Sequence, residues 1–401
     1  MAIERSKYDI ARSDSRWDQA RFRVEHWLLS PGTSEVARLR GYLRVRDWRR
    51  LRTTRQRVAA MRAALTRPLR ATREALHAVR TYGPSPRREH GVSTVRQLAH
   101  VWWLGVRHDL DPSVYYTFRL YRPGALRRAP LYFQRGETSE VYRLLHLHTA
   151  HEEAELLLDK GRLERWLAAR DLPTAGTVLE VAGGAVVRTR HGTPEAPSLP
   201  RTALFSKPND SLRGLGAQRW AYDGDGWVGE DGRRRDEAAL IAELREASRR
   251  RPLLVQVLLR NHPALAPLAP ATLSTVRVLT LRGLDGVIRP VLAAAKIPAG
   301  NAPTDHMRLG GLAAPVDLAT GRLGPAVRKS DATFVARCER HPDTGARIDG
   351  FVLPCWEAVL GLAVRAHATL GRIVVVGWDL AILEDGPVII EGNDNPGHSS
   401  S

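Results

Sequence analysis

The 401-residue sequence lacks the features of membrane-spanning and disulfide-linked proteins. No run approaches the roughly 20 uninterrupted apolar residues of a membrane-spanning helix. The N-terminal stretch MAIERSKYDIARSDSRW lacks the apolar core of a secretory signal. Two cysteines, Cys338 and Cys355, are too few for a disulfide framework. With 43% hydrophobic and 26% charged residues, we expect a folded protein in the reducing cytoplasm.

Lysine is scarce, because only five of the 61 basic residues are lysines. They are Lys7, Lys160, Lys207, Lys296 and Lys329. Arginine occupies nearly every other basic position, so a remaining lysine is a candidate for a compact positive charge on a phosphate.

Positive charge is concentrated at one end of the chain. Residues 1–135 hold 29 basic and 11 acidic residues, whereas residues 136–401 are balanced. Such a surface can attract nucleic acid, anionic lipid or an acidic partner. The alternative is a solvated helical surface in an arginine-rich chain.

Helical patterns dominate before about residue 172, and strand patterns follow. The spacing of apolar residues predicts a long helix from residue 34 that Pro68 ends or kinks. It also predicts a linker over 82–86 and a helix over 152–170 that is interrupted at Gly161. The predicted strands are Thr177–Ala182, Ala185–Arg190, Ala203–Lys207, Leu253–Leu259, Val276–Arg282, Val287–Ala294, and a closing hairpin of Ile373–Leu383 and Val388–Glu391, with a helix over 236–250. The sequence therefore predicts an α+β body preceded by a helical region.

The closing hairpin carries the strongest candidate site, in the sequence VVVGWDLAILEDGPVIIEGNDNPG. Asp379 lies on one strand and Glu391 ends the other, and Asn393 points to the same side as Glu391. Two carboxylates and an amide oxygen are ligands suited to Mg²⁺. An ordinary hairpin with a polar end is the alternative. Because two carboxylates without a cation repel, neutralising either one is expected to leave the stability unchanged or higher.

A second candidate site lies in the sequence LFSKPNDSLRGLGAQRW. Lys207 ends a strand before a loop that contains Gly214 and Gly216. Backbone N–H groups of such a loop and a lysine fit phosphate binding. The spacing matches neither Walker A nor the G-x-G-x-x-G motif, so an ordinary loop is the alternative.

In their order over about residues 150–401, these segments resemble the ATP-grasp superfamily, and most closely the sugar-transfer-associated ATP-grasp proteins. The resemblance is carried by LLLDKGRLERWLAARDLPTA, LFSKPNDSLRGLGAQRW, LLVQVLLRNHPALAPLAPATLSTVRVLTL, PAGNAPTDHMRLGGLAAPVDLATGRL and GWDLAILEDGPVIIEGNDNPG. It implies an ATP-grasp domain over 136–401, with subdomains over about 172–260 and 261–401 that grip ATP. Residues 1–135 would form a basic helical accessory region.

The resemblance also implies roles for individual residues. Lys160 and Lys207 would contact the nucleotide, and Gly214 and Gly216 would cover its phosphates. The adenine hinge would be formed by Val255, Gln256 and Val257. Arg277 and Lys296 would be catalytic, and Mg²⁺ would be held by Asp379, Glu391 and Asn393. No clear equivalent of the family's ribose-binding acidic residue is present. Similar D-alanine–D-alanine ligases have an arginine where this chain has Gly377, so Arg277 is expected to supply that charge.

The function that the resemblance implies is ATP-dependent carboxylate–amine ligation. An acyl phosphate would be attacked by an amine to give an amide or peptide, ADP and phosphate. Small-molecule carboxylates and amines are the expected substrates, with ATP and Mg²⁺ as cofactors and no nucleic acid as partner. A kinase that phosphorylates a hydroxyl is one alternative. A nucleic-acid or membrane-surface binding protein acting through residues 1–135 is another, and an acidic partner for that region stays open.

Other candidates are weaker. His146, His148 and His151 are interpreted as structural, although metal binding is the alternative. His262 is expected in a loop, and Cys355 is expected in the core. Ser399–Ser401 would either contact substrate or end freely.

Overall fold

The computed structural model describes residues 35–108, 110–132, 141–142, 144–146, 151–209, 216–300, 305, 310–330 and 334–396. The backbone divides into two units: Met1–Val141 with Ser330–Ala336, and Tyr142–Lys329 with Arg337–Ser401. No helix among the described residues has the length and apolar character needed to cross a membrane.

The first unit is helical over its described residues before residue 142. Its helices are α1 (Glu35–Arg50), α2 (Thr54–Leu65), α3 (Arg67–Tyr82), α4 (Pro84–His90), α5 (Thr94–Trp103) and α6 (Pro112–Thr117). Small side chains on α3, among them Ala71, Ala75 and Ala78, are buried, and α3 packs against α5. The core is completed by Val101, Leu104 and a group of tyrosines around Tyr115.

Three details of this unit differ from the sequence prediction. The long helix from residue 34 is broken at residues 51–53, because Thr53 and Gln56 form a capping box that starts α2. Helix α2 ends at Leu65, close to the predicted end, but a new helix follows at once, because Pro68 lies in the first turn of α3, where its missing N–H costs nothing. The predicted linker over 82–86 contains the start of α4 for the same reason, since Pro84 occupies the first turn of that helix.

The second unit begins with two helices, α7 (His151–Leu158) and α8 (Lys160–Ala168). The helix break lies at Asp159 rather than Gly161, because the Asp159 side chain caps α8 by accepting from the backbone N–H of Arg162 at 2.9 Å. A Cβ at position 161 would lie 3.1 Å from a methyl group of Leu254. Gly161 therefore lets α8 approach the first sheet closely.

The first sheet is antiparallel and has seven strands. They are β1 (Thr177–Ala182), β2 (Ala185–Thr189), β3 (Leu204–Pro208), β4 (Gln218–Tyr222), β5 (Trp227–Val228), β6 (Arg234–Arg235) and β7 (Leu253–Val257), in the order β2-β1-β7-β3-β4-β5-β6. Helix α9 (Glu237–Ser248) contacts β1, β2 and β7. The core of this sheet includes Leu204, Trp220, Leu240 and Val255.

The second sheet also has seven strands. They are β8 (Thr275–Arg282), β9 (Ile288–Ile297), β10 (Leu312–Val316), β11 (Ala326–Ser330), β12 (Phe334–Cys338), β13 (Val375–Leu383) and β14 (Gly386–Asn393), in the order β12-β11-β10-β9-β8-β13-β14. Helix α10 (Trp356–Ala368) contacts β8, β9, β13 and β14.

Two sheets with helices confirm the predicted α+β class. The sheets use separate stretches of chain, 177–257 and 275–393, and the predicted division near residue 260 falls between them.

Candidate functional site

The closing hairpin places two acidic side chains directly opposite each other. Strands β13 and β14 pair so that Asp379 faces Glu391 and Gly377 faces Asn393, with a bulge just after Asp379. Side chains two residues apart on a strand share a face, so Glu391 and Asn393 point to the side on which Asp379 lies. The hairpin therefore gathers two carboxylates and one amide at one position.

Asp379 is buried and binds two cations. Strand β8 pairs with the other edge of β13 and places Arg277 opposite Asp379. The guanidinium donates from Nε to Oδ1 at 2.7 Å and from Nη2 to Oδ2 at 2.6 Å. Lys296 of β9 donates from Nζ to the same Oδ2 at 2.6 Å. Burial alone would raise the pKa of Asp379, but Arg277 and Lys296 outweigh it and hold that pKa below its usual range.

This arrangement changes one expectation from the sequence. Repulsion between two bare carboxylates was the premise for expecting Asp379→Asn to leave the stability unchanged or higher. That premise is wrong, because the Arg277 guanidinium and the Lys296 ammonium compensate the Asp379 charge. Removing the carboxylate would leave both cations without it in a largely buried position.

Glu391 is held more loosely than Asp379. The Lys160 Nζ lies 3.3 Å from Oε2, and the Arg277 Nη2 lies 3.9 Å from Oε1. The Asn393 side-chain N–H donates to the Gly377 carbonyl at 3.3 Å and to Glu391 Oε1 at 3.4 Å. With its nitrogen used in this way, Asn393 keeps its side-chain oxygen available as an acceptor.

Gly377 leaves no room for a side chain. A Cβ at this position would lie 2.5 Å from the Cβ of Pro396. The arginine expected here from the sequence resemblance therefore cannot be accommodated by this backbone. Arg277, from the neighbouring strand, supplies the guanidinium that reaches Asp379.

Lys207 is the next-to-last residue of strand β3 of the first sheet, and its side chain is buried. Burial, and then the neighbouring Lys160 ammonium, lower the pKa of Lys207 to about 8. The acidic groups that act in the opposite direction include Glu391 and Asp379. Lys207 therefore belongs electrostatically to the same cluster as the hairpin carboxylates.

A hydrogen-bonded clasp fixes Lys160 relative to Lys207. Asn209, two residues after Lys207, donates from Nδ2 to Asp159 Oδ1 at 2.9 Å and accepts from the Gly161 N–H at 3.0 Å. The first turn of α8 is thus tied to the end of β3. This tie brings the two lysines that the sequence singled out into one site.

The predicted hinge residues have different environments. Val255 is fully buried in the core of the first sheet. Gln256 pairs with Phe205 of β3, while Leu254 pairs with Lys207, so Gln256, Phe205 and Lys207 share one face of the sheet. Val257 pairs with Leu204 at the end of the ladder. Of the predicted hinge residues, Gln256 is therefore the one whose side chain lies on the lysine face, together with Phe205 and Leu254.

Glu164 orients the Gln256 side chain, a feature that sequence reasoning missed. Its carboxylate accepts from Gln256 Nε2 at 2.9 Å, from the Thr177 hydroxyl at 2.7 Å and from the Thr177 backbone N–H. A carboxylate can only accept, so the Gln256 nitrogen must face Glu164. The Gln256 oxygen consequently points the other way.

Asp305 is another site residue that sequence reasoning missed. Its carboxylate accepts from the Thr275 N–H at 2.8 Å and from the Thr275 hydroxyl at 2.6 Å, and Thr275 pairs with Lys296 across β8 and β9. Burial raises the pKa of Asp305, and the nearby Lys296 opposes that rise. The motif Pro-Thr-Asp-His in a loop gave no signal of this position.

Several of the remaining predicted residues lie outside the described part of the chain. They are Gly214, His148, the side chain of His151 and Ser399–Ser401. Gly216 has a φ of +80°, which favours glycine, and a Cβ at this position would lie 3.2 Å from the ring of Pro208.

Two of the weaker candidates have clear structural positions. His146 Nε2 lies 3.1 Å from the Asp394 carbonyl, and the His262 side chain accepts from the Ala264 N–H at the start of a 3₁₀ turn.

The prediction that Cys355 lies in the core is wrong, because its side chain is exposed. It precedes α10 with a left-handed backbone, φ +52°, and its neighbour Trp356 takes the buried position.

The acidic hairpin fits a divalent cation by its chemistry. Carboxylate and amide oxygens are the hard donors that Mg²⁺ prefers, and this ion usually completes its shell with water and phosphate oxygens. Among the described residues, no three His, Cys, Asp or Glu side chains are grouped as a metal site by themselves. A metal here would therefore need Asn393 or non-protein oxygens besides Asp379 and Glu391.

Comparison with known proteins identifies the family resemblance. Residues 236–400 match the family model described as sugar-transfer associated ATP-grasp. The resemblance predicted from the sequence is thus confirmed, and with the two sheets it confirms the predicted ATP-grasp fold. The comparison with curated proteins gives no match.

Solved structures with similar folds include three ligases or synthetases. An L-amino acid ligase from Bacillus licheniformis is 13% identical, with a TM-score of 0.34 over 61% of this chain and 42% of that chain. A D-alanine–D-alanine ligase from Bacillus anthracis is 14% identical, with a TM-score of 0.34 over 65% and 66%. An N5-carboxyaminoimidazole ribonucleotide synthetase in its ADP complex is 14% identical, with a TM-score of 0.36 over 67% and 54%. The chain thus spans 42% to 66% of the lengths of these proteins.

Proposed function

We propose that this ATP-grasp chain is an ATP-dependent ligase that joins a carboxylate to an amine. One observation carries the proposal: three cationic side chains, Lys160, Arg277 and Lys296, form ion pairs with Asp379 or Glu391. Lys207 of the first sheet adds a fourth positive charge nearby, because the same two carboxylates act on its pKa. A triphosphate is the ligand class that requires this much positive charge beside carboxylates suited to Mg²⁺.

The reaction proceeds in two displacements. A carboxylate oxygen of the first substrate attacks the γ-phosphorus of ATP, and the bond to ADP breaks. The amine nitrogen of the second substrate then attacks the acyl carbon and forms the C–N bond. The bond between the acyl carbon and the phosphate oxygen breaks, inorganic phosphate leaves with its electron pair, and the nitrogen loses a proton. Bound Mg²⁺ would neutralise phosphate charge and align the transferred group.

The chain's own cations would bind the nucleotide in two groups. Lys160 and Lys207 lie together through the Asn209 clasp and would hold the phosphates on the side of the first sheet. Arg277 and Lys296 project from the second sheet and would stabilise the charge that develops on the transferred phosphoryl group. The site would thus grip the triphosphate from two sides.

Binding would proceed by an exchange of ionic partners. In the free protein both Asp379 oxygens are bonded to Arg277 or Lys296. The phosphates of ATP would attract these cations, and the carboxylate that they release would become available to Mg²⁺. Nucleotide and metal should therefore bind cooperatively in this site.

The test is a screen for ADP release over amino acids, sugar acids and amines, with hydroxylamine as a trap. A ligase releases ADP only with a carboxylate present, and hydroxylamine converts its acyl phosphate to a hydroxamate. A kinase on the same site gives a stable phosphate ester and no hydroxamate, which would contradict the proposal.

The control variant for this screen is Glu246→Gln, which alters an exposed pair with Arg249 on the surface. It should retain full activity in every assay that Arg277→Gln abolishes. Equal loss in both variants would contradict the assignment of Arg277 to the site.

A further inference from the structure

Outside the nucleotide site, the helical unit carries an unusual surface on α2 and α3. Residues 54–82 contain seven arginines and one acidic residue, Glu74. Thr66 joins the two helices with α-helical dihedrals, and helix-type hydrogen bonds run from Thr66 N–H to the Arg62 carbonyl and from Arg70 N–H to the Thr66 carbonyl. The two helices thus continue almost directly into each other.

Large apolar side chains face outward along this pair of helices. They are Val58, Met61, Leu65, Leu69 and Leu76, and the leucines are 76%, 69% and 55% exposed in that order. Their separations of three, four and seven residues follow the helical repeat, and they lie on the outer side of the two successive helices. The opposite face of α3 is used, because Ala71, Ala75 and Ala78 are buried against the rest of the unit.

Arginines lie between these apolar residues on the same outward face. Arg62, Arg73 and Arg80 are exposed and follow the same spacing. Among the described residues, none of these three guanidinium groups is paired with an acidic side chain, in contrast to Arg70, which lies 3.9 Å from Glu74. Trp102 of α5 borders the face and donates from its indole N–H to the Thr72 hydroxyl at 3.1 Å.

We propose that this face, defined here as the α2–α3 face, binds an anionic lipid surface. Leucine and methionine would enter the boundary between headgroups and acyl chains, tryptophan would lie at that boundary, and the arginines would meet the lipid phosphates. Nucleic acid fits less well, because its backbone gives no apolar partner to a row of leucines. Helix α2 has no buried residue of its own, so a 12-residue helix gains stability from such a partner.

The experiment is co-flotation of the full chain with phosphatidylcholine vesicles, with and without phosphatidylglycerol. The chain should float only with the anionic vesicles, and salt should weaken the binding. Leu69→Ser with Leu76→Ser should weaken binding about tenfold or more, because two leucines that would be partly buried in the membrane are lost. Arg73→Gln with Arg80→Gln should weaken it roughly thirtyfold, from about fivefold for each charge near an anionic membrane.

The matched control is Leu284→Ser with Arg250→Gln, which removes one exposed leucine and one exposed arginine from the other unit. It should bind vesicles like the wild type. Unchanged binding in both α2–α3 variants would overturn the proposal, as would equal loss in the control. Binding of duplex DNA that these variants abolish, without vesicle binding, would overturn it in favour of a nucleic-acid surface. Loss of a dimer in the leucine variant, again without vesicle binding, would overturn it in favour of self-association.

Discussion

The basic residues of the helical unit and those of the strand-rich unit are used in opposite ways. On α3, Arg73 and Arg80 are exposed and carry no acidic partner among the described residues. On the second sheet, Arg277 and Lys296 are largely buried and both bond to one carboxylate. The count of charges is high in both places, but only the second group is ordered by its partners.

This difference shows what a sequence charge count leaves out. Exposed charges keep their hydration and contribute little to stability singly, so they define a surface. Buried charges lose hydration and survive only with partners, so they define a site. The comparison can be tested by changing one charge at a time in each region.

The largest effect is expected from Asp379→Asn. Turnover should fall about a thousandfold or more, because the variant loses a ligand for Mg²⁺ and the partner that positions Arg277. The free energy of unfolding should fall by about 3–5 kcal/mol, since two largely buried cations lose their compensating charge. Turnover and denaturant unfolding of the free protein measure the two effects.

The pH dependence of stability gives an independent check on this pair. The pKa of Asp379 is held below its usual range, so its contribution is fully present above the ordinary aspartate pKa of about 4. The contribution is lost as the pH falls through the lower pKa of the folded state. As the pH is lowered below about 4, the wild type should therefore lose more stability than the Asp379→Asn variant. Parallel curves for the two proteins would contradict the ion pairs.

The next effect concerns Lys207, whose pKa is lowered to about 8 by burial and by Lys160. Above that pH the free protein must take up a proton to bind phosphate, so KM for ATP should rise up to about tenfold per pH unit. The kcat at saturating ATP should stay level over the same range. Lys207→Arg should give a flat KM profile, because arginine keeps its proton.

The stability of the wild type should move in the opposite direction to its ATP affinity. Unfolded Lys207 keeps its proton up to about pH 10.4, whereas the folded protein releases it near pH 8. The free energy of unfolding should therefore increase as the pH rises between these two values, because the unfolded state binds more protons there. A KM that stays constant from pH 7 to 10 would show that Lys207 does not bind the nucleotide in its charged form.

A smaller effect is expected from Glu164→Gln. The NH₂ group of the new amide would face at least one of the N–H and O–H donors of Gln256 and Thr177, and that donor would lose its acceptor. This loss should cost about 1–3 kcal/mol of stability. KM for ATP should rise several-fold because Gln256 loses its fixed orientation. Glu246→Gln removes an exposed pair with Arg249 and should change stability by less than about 1 kcal/mol.

The smallest effect is expected from Arg73→Gln and Arg80→Gln in the helical unit. Each should change the free energy of unfolding by no more than about 0.5 kcal/mol, because both side chains are exposed. Thermal unfolding of each variant is the measurement. A loss comparable to that of Asp379→Asn would erase the contrast between the two regions.

Local patterns allowed much of the fold to be predicted. The hairpin was expected at Ile373–Leu383 and Val388–Glu391 and lies at Val375–Leu383 and Gly386–Asn393, because alternation and a turn sequence act over a few residues. Strands β4–β6 and β10–β12 were not predicted, since they are short or flanked by loops. Helix α10 was also missed, although its apolar face packs on the second sheet.

The ionic partners in the site could not be predicted from local patterns. Arg277 and Asp379 are 102 residues apart, and their meeting depends on the register of β8 against β13. Glu164 and Gln256 are separated by 92 residues and meet only because α8 crosses the first sheet. The residue types indicated phosphate and metal binding. Which cation pairs with which carboxylate, however, depends on the tertiary fold.

The crowding of Gly377 against Pro396 has a consequence for how this site can change. A single substitution to arginine at position 377, the residue expected there from the sequence resemblance, meets the ring of Pro396 before it reaches Asp379. Restoring that pattern needs a change at position 396 first, and that change has no benefit while Arg277 supplies the charge. A chain with its guanidinium at position 277 can thus reach one with the guanidinium at position 377 only through a change at position 396 that brings no benefit by itself. We expect a protein that has one arrangement to keep it.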